Sequence, residues 1–243
     1  MQMNDLDQPI GEPLEQWQPA SPPPLTPMMG RFCRIEPINV EQHGHQLFAA
    51  FCADRSHRNW TYLPYGPMST EGAFLDWMTT TCLGSDPLFH AIVDQASGQA
   101  VGLASYLRIE PSTGVIEVGH VHFSPNLQQQ PAATEAMFLM MRRVFSELGY
   151  RRYEWKCDAL NAPSRRAAER LGFSFEGIFR QATIYKGRNR DTAWYSILDR
   201  EWPAIESAFS TWLDPTNFDE HGRQKLGLRA VMTAAEKPAG SPH

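Results

Sequence analysis

The sequence predicts a mixed α+β fold: a mostly antiparallel sheet of seven strands with helices on both faces. Three observations predict it. Residues 88–123 hold three runs of strand character joined by the turn-forming stretches Gln95-Ala-Ser-Gly98 and Glu110-Pro-Ser-Thr-Gly114, an antiparallel meander. A long amphipathic helix and another strand follow, and a strand-helix-strand crossover makes its two strands parallel neighbours. Two last strand-like runs flank Gly187-Arg-Asn-Arg-Asp191, a hairpin turn.

Taken in order, residues 1–29 carry many prolines, including Ser21-Pro-Pro-Pro24, and no sustained periodicity, so an extended arm is expected. A first strand is expected over 31–35, a helix over 41–53 and another over 70–83, where Phe74, Leu75, Trp77 and Met78 form the apolar side. Strands follow at 88–94, 100–109 and 115–123. The clearest helix is 131–148: Met137, Met140, Met141, Val144, Phe145 and Leu148 recur at helical spacing, and Gly149 stops it. In Arg151-Arg-Tyr-Glu-Trp-Lys-Cys157 alternation turns Tyr153, Trp155 and Cys157 one way, as in a strand. Pro163 suits the first turn of the next helix, because an N–H missing there costs nothing, and Gly172 suits its end. Strands at 175–186 and 192–198 and a helix at 201–212 complete a domain set at 30–213. Residues 214–243 read as an extension, disordered from 233 onward.

With 243 residues, 42% of them hydrophobic, the chain can bury a substantial core. A net charge of -5 argues against nonspecific nucleic-acid binding. No apolar run is long enough to span a bilayer, since Met137–Met141 is stopped by Arg142 and Arg143. The opening Met1-Gln-Met-Asn-Asp-Leu-Asp7 has neither the basic nor the apolar part of a signal peptide, so the cytoplasm is expected, with a monomer or homodimer. Cys33, Cys52, Cys82 and Cys157 are widely spaced in apolar stretches and read as reduced core thiols. The pairs His43/His45 and His120/His122 lack partners at metal-ligand spacing, so no metal is expected.

Two strand-to-helix junctions concentrate candidate chemistry. Asn161 lies at the carboxyl end of a strand and Ser164 in the first turn of a helix, where unpaired N–H groups collect. Gln128 to Thr134 occupies the corresponding place before the long helix, and such a helix start suits phosphate groups.

The segment Asn161-Ala-Pro-Ser164 running on to Leu171-Gly-Phe173 resembles the signature of the GNAT N-acetyltransferase superfamily, in the RimJ/RimL-like branch of ribosomal-protein N-terminal acetyltransferases. Glu117-Val-Gly-His-Val-His-Phe-Ser-Pro125, Gln128-Gln-Gln-Pro-Ala-Ala-Thr-Glu-Ala136 and Gly172-Phe-Ser-Phe-Glu-Gly177 extend the likeness over 30–212. The resemblance implies acetyl-CoA as cosubstrate, no metal, and a primary amine as acceptor: a small molecule, an aminoacyl conjugate or a protein N-terminus. It implies that the two parallel strands part at their carboxyl ends, offering the peptide groups of His120, Val121, His122 and Phe123 to the pantetheine arm. Gln128, Ala132, Ala133 and Thr134 would then surround the pyrophosphate, with Asn161 and Ser164 also touching the cofactor.

This chain departs from the family pattern in two places. Pro131 stands where glycine is usual, which removes one N–H donor. Ala168 stands where many members carry a tyrosine acid, leaving Ser164 as the candidate to protonate the departing thiol, beside a plain helix-start role. For the base, Glu117, His120 and His122 stay open, and an amine bound neutral or a water chain needs none of them. Alternation places Glu117 and His120 on opposite faces and His120 and His122 on one face. Trp60, Tyr62 and Tyr65 either grip the acceptor or form an apolar cluster beneath a loop. Arg180, Lys186, Arg188 and Arg190 either attract an anionic acceptor or CoA phosphate or form a solvated hairpin. The alternative to an enzyme is a noncatalytic acyl-CoA-binding or regulatory module.

Overall fold

The computed structural model describes residues 2–236. Strand β1 (Gln2–Met3) pairs with β2 (Pro9–Ile10) in a small hairpin of its own. The main sheet runs β3 (Met28–Met29), β4 (Cys33–Pro37), β5 (Leu88–Asp94), β6 (Ala100–Glu110), β7 (Val115–Phe123), β8 (Arg152–Asp158), β10 (Arg188–Leu198), β9 (Ser174–Tyr185). Only β7 and β8 are parallel. The eighth strand, absent from the sequence prediction, is Met28–Met29 of the arm, two residues too short to carry a periodicity.

The helices are α1 (Val40–Cys52), α2 (Glu71–Thr81), α3 (Pro131–Arg142), α4 (Ala162–Arg170), α5 (Trp202–Leu213) and α6 (Leu228–Glu236). Asn39 and Thr70 cap α1 and α2, their side chains accepting from Gln42 N and Ala73 N. A π-helical turn over Arg143–Glu147 continues α3 until Gly149, at φ +73°, ends it. Helix α6 includes residues 233–236, which were expected to be disordered; the rest of that tail lies outside the described residues.

The sheet separates two apolar cores. On one face Phe51 of α1 and Phe74 and Met78 of α2 pack on Phe89, Ala91 and Leu103. On the other, α3 and α5 cover Ile116, Val118, Tyr153, Trp155 and Tyr195. Helix α3 is buried all round, and its Glu135, 4% exposed, accepts from three backbone amides, Arg31 N at 2.8 Å, Phe32 N at 2.6 Å and Cys33 N at 2.8 Å. A buried carboxylate needs such partners, and here they fix the start of β4 against α3. Gly30 leaves the room, since a Cβ there would run into the Glu135 carboxyl group.

The proline-rich arm, expected to be extended, folds back on itself in the β1–β2 hairpin, and farther along it is docked on the domain. Trp17 Nε1 donates to Ser112 O at 3.2 Å, the indole lies against Gly114, and buried Arg143 donates to Thr26 O at 2.5 Å and Pro27 O at 3.2 Å. Cys52 departs from its reading as a core thiol: it is the last residue of α1 and exposed, whereas Cys33, Cys82 and Cys157 are buried.

Candidate active site

Strands β7 and β8 pair only from Val115–Val118 against Arg152–Trp155. Beyond Val118 and Trp155 they part, although β7 continues to Phe123 and β8 to Asp158. The cause lies in β7. Between the pairs Ser105↔Gly119 and Leu103↔His122 it spends three steps against two on β6, so it carries one extra residue, and His120 sits in left-handed conformation at φ +50°. Such a bulge bends and twists the strand. Meanwhile β8 stays with β10 to its end: Ala159 N donates to Asp191 O at 2.8 Å, and Tyr185 Oη donates to Asp158 Oδ2 at 2.8 Å. The resulting cleft exposes the β7 edge at the mouths of α3 and α4.

The bulge also corrects a sequence expectation. Ile116 and Val118 face the core under α3, so Glu117 faces the opposite side, toward α1 and α2. Strict alternation would turn His120 away from Glu117. The extra residue resets the count, and His120 packs on Phe89 at 4.9 Å and stacks on Tyr65 at 5.6 Å, on the same side as Glu117.

The three candidate bases have different surroundings. His122 is buried, stacked on Phe51 at 3.8 Å and edge-on to Trp60 at 4.2 Å, with neither ring nitrogen bonded. Burial drives its pKa down to about 3, so it packs as a neutral ring. His120 is half-buried, its Nδ1 3.1 Å from Tyr65 Oη; burial, then the charges of Arg108 and Arg190, lower its pKa to about 4. Glu117 is 3% exposed and binds Arg108 Nη1 at 2.6 Å and Lys156 Nζ at 2.9 Å. Burial raises its pKa, while Lys156 and then Arg108 oppose that rise. Lys156 also meets Glu154 at 2.6 Å and lies 3.8 Å over the Trp194 ring.

At the β8–α4 junction Asn161 is the helix cap: its Oδ1 accepts from Ser164 N at 3.2 Å. Trp155 Nε1 donates to Ser164 Oγ at 3.0 Å. At the other junction Gln130 precedes Pro131, the first residue of α3, and makes no side-chain cap. Gln129 is left-handed at φ +62°, and its amide has no hydrogen-bond partner among the described residues. Pro131 occupies a helix-start position whose N–H would have had no intrahelical partner, so little is lost. Ala132, Ala133 and Thr134 are buried at this helix start, and Thr134 Oγ1 accepts from Arg170 Nη2 at 3.2 Å. The Phe123 carbonyl, offered to a ligand by the sequence reading, already accepts from Gln128 Nε2 at 2.9 Å.

Of the loop aromatics, Trp60 is a core residue at 4% exposure, with Gly66 against one part of its ring and Phe51 and His122 against others. No ring face is left for a ligand. Tyr62 and Tyr65 stay half-buried; Tyr62 Oη donates across the cleft to Leu160 O at 3.1 Å, and Lys186 Nζ donates to Trp60 O at 2.7 Å. The loop therefore arches from α1 and α2 to the β8–α4 junction and the β9–β10 hairpin. A separate recess of about 720 Å³ on the β9–β10 hairpin, lined by Phe179, Arg180, Gln181, Asn189 and Asp191, contains none of the cleft residues. Among the described residues no three His, Cys, Asp or Glu side chains converge as a metal site, and no helix is long and apolar enough to cross a membrane.

Sequence reasoning missed Lys156, Arg108 and Trp194. The alternation that buries Tyr153, Trp155 and Cys157 also aligns Glu154 and Lys156 on the opposite face, which was a legible signal for the first of these. Arg108 and Trp194 become neighbours only when the sheet assembles.

Known proteins share this architecture. The acetyltransferase (GNAT) domain family matches residues 34–174. A GCN5-related N-acetyltransferase of known structure from Brucella melitensis is 48% identical, with a TM-score of 0.88 over 90% of this chain and 100% of its own. A structure described as a probable acetyltransferase of the GNAT family, from Chromobacterium violaceum ATCC 12472, is 43% identical, with a TM-score of 0.75 over 81% of this chain and 98% of its own. The uncharacterized N-acetyltransferase YnaD of Bacillus subtilis (strain 168) is 36% identical over 87 residues, 35% of this chain. That match spans 50% of YnaD's own length. With the parted parallel strands, the bulge in β7 and a family match over more than half of its length, the chain belongs to the GNAT acetyltransferase family.

Proposed function

We propose that the protein is an N-acetyltransferase that moves an acetyl group from acetyl-CoA to a primary amine by direct attack. The observation that carries this reading is the cleft between β7 and β8 beyond Val118 and Trp155, whose free strand edge suits an amide-bearing tether. The unpartnered Gln129 amide and the start of α3 suit phosphate groups. Acetyl-CoA, when bound, supplies an acetyl group activated as a thioester.

The chain's own groups do the rest. Val121 and the β7 edge orient the tether, Gln128 to Thr134 receive the phosphates, and Asn161, having spent its carbonyl on the helix cap, keeps its amide NH₂ for the cofactor arm. Ser164 Oγ accepts from Trp155, so its one remaining donor is its own O–H, which a leaving sulfur would take over from the neighbouring Cys157 thiol. On the acceptor side, His120 is neutral at pH 7 with Nδ1 held by Tyr65, and because a pKa near 4 makes it a weak base, its Nε2 orients by hydrogen bonding an amine that arrives neutral or loses its proton through water. His122, walled in by Phe51 and Trp60, takes no part, and Glu117 is taken up by its ion pairs with Arg108 and Lys156. Tyr62 and Tyr65 line the acceptor entrance.

Titration calorimetry with acetyl-CoA, followed by free-thiol release over a panel of amines, tests the proposal. Binding with turnover on at least one amine is expected, and acetyl-CoA binding without turnover on any would favour the noncatalytic module. Ser164→Ala should lower kcat by about tenfold to a thousandfold with KM for acetyl-CoA little changed. Unaltered kcat in that variant removes the acid role.

A further inference from the structure

Among the described residues, one guanidinium at the cleft, that of Arg190, has no ion-pair partner. Arg190 stands on β10 two residues before Thr192, which pairs with Asp158, the last residue of β8. It therefore lies at the opened end of the cleft. Its Nε is buried without a hydrogen-bond partner, and among the described residues its side chain forms no ion pair. The nearby carboxylates are committed elsewhere. Asp158 accepts from Tyr185 Oη and Leu160 N, Asp191 from Gln181 N and Asn189 Nδ2, and Glu117 holds Lys156 and Arg108.

The guanidinium lies 5.8 Å from the Tyr185 ring centroid, and its charge lowers the proton affinity of His120 on β7 and of Cys157 on β8. Its field thus reaches both lips of the cleft. The other cations of the hairpin differ: Lys186 is bonded to the Trp60 carbonyl, and Arg180 and Arg188 are exposed. A half-buried guanidinium without a counter-charge is costly unless a ligand supplies one, and its outer Nη donors, not the enclosed Nε, are those a ligand can reach.

We propose that Arg190 receives a carboxylate of the acceptor, so that the preferred substrates are carboxylate-bearing amines such as amino acids and short peptides. One planar guanidinium fork matches one carboxylate in geometry and in charge. This inference rests on the acetyl-transfer reading, and it goes further by assigning the acceptor's chemical class.

The test compares kcat/KM for a panel of amino acids and dipeptides with that for the same compounds as carboxamides, in the wild type, Arg190→Gln and Arg190→Lys. The wild type should prefer carboxylates roughly tenfold to a hundredfold, the scale of a hydrogen bond to a charged group. Arg190→Gln should erase that preference, so that the ratio of carboxylate to carboxamide kcat/KM falls to about one while the acetyl-CoA Kd stays unchanged, and Arg190→Lys should restore part of the ratio. Equal wild-type rates on both series, or turnover of carboxamides alone, overturn the inference while acetyl transfer stands. Loss of acetyl-CoA affinity in Arg190→Gln also overturns it, by giving the guanidinium to a cofactor phosphate. Because the wild-type comparison needs no variant, a misfolded substitution cannot decide the result. If acetyl-CoA does not bind the wild type, the underlying reading falls first and this one with it.

Discussion

The Asn161 side chain has one observed task and one proposed task. Its carbonyl oxygen caps α4 through Ser164 N, and its amide NH₂ is the group proposed to meet the cofactor arm. Substitutions can separate them. Asn161→Ala should lose about 1 kcal/mol of stability with the cap and also weaken acetyl-CoA binding. Asn161→Asp keeps a cap oxygen, and its charge suits the helix start, so stability by urea denaturation should stay near wild type. Its acetyl-CoA affinity by calorimetry should still fall, because the donor is gone and a negative charge stands near phosphates. Wild-type affinity in both variants would leave Asn161 a purely structural residue.

Strand β7 shows how one added residue makes a site. His120 adopts φ +50°, a conformation that disfavours side chains branched at Cβ and tolerates Asn. His120→Asn should therefore lie within about 1 kcal/mol of wild type in urea denaturation. His120→Val should cost about 1–2 kcal/mol more, because a β-branched residue resists the left-handed bulge. Both lose the imidazole, so a shared fall in kcat with unequal stabilities separates the ring's chemistry from its backbone role. Equal stabilities would mean that the bulge does not depend on the residue at its apex.

Two expectations concern the whole molecule. His90 and His122 lie buried on opposite faces of the sheet, and burial lowers their pKa values to about 4 and about 3, against about 6.5 for an unfolded histidine. Below pH 6.5 the unfolded chain therefore binds protons that the folded one refuses. Stability is complete above that pH and falls on acidification toward pH 4, by up to about 1.4 kcal/mol per pH unit for each histidine. Urea midpoints measured from pH 7 to 4.5 check this, and His122→Phe, which keeps the stacking on Phe51, should flatten the curve by one histidine's share. The docked arm gives the second expectation. Trp17→Ala removes the indole from Gly114 and its hydrogen bond to Ser112, and should cost about 1–2 kcal/mol while opening residues 2–29 to proteolysis.

The order of elements, the single parallel pair and the two strand-to-helix junctions follow from the sequence alone, because periodicity, Pro163, Gly149 and Gly172 are local signals of local structure. So does the family, through residues at 117–136 and 161–177. The bulge did not follow: an inserted residue leaves no mark in a run as short as Glu117-Val-Gly-His-Val-His-Phe123, and it alone put His120 on the same face as Glu117. Nor did the burial of Trp60 and His122 in one aromatic cluster, the ion pairs of Glu117 with Arg108 and Lys156, or the solitude of Arg190. Each depends on which strands become neighbours, and side chains distant in sequence acquire burial and charge partners only when the sheet has closed around them.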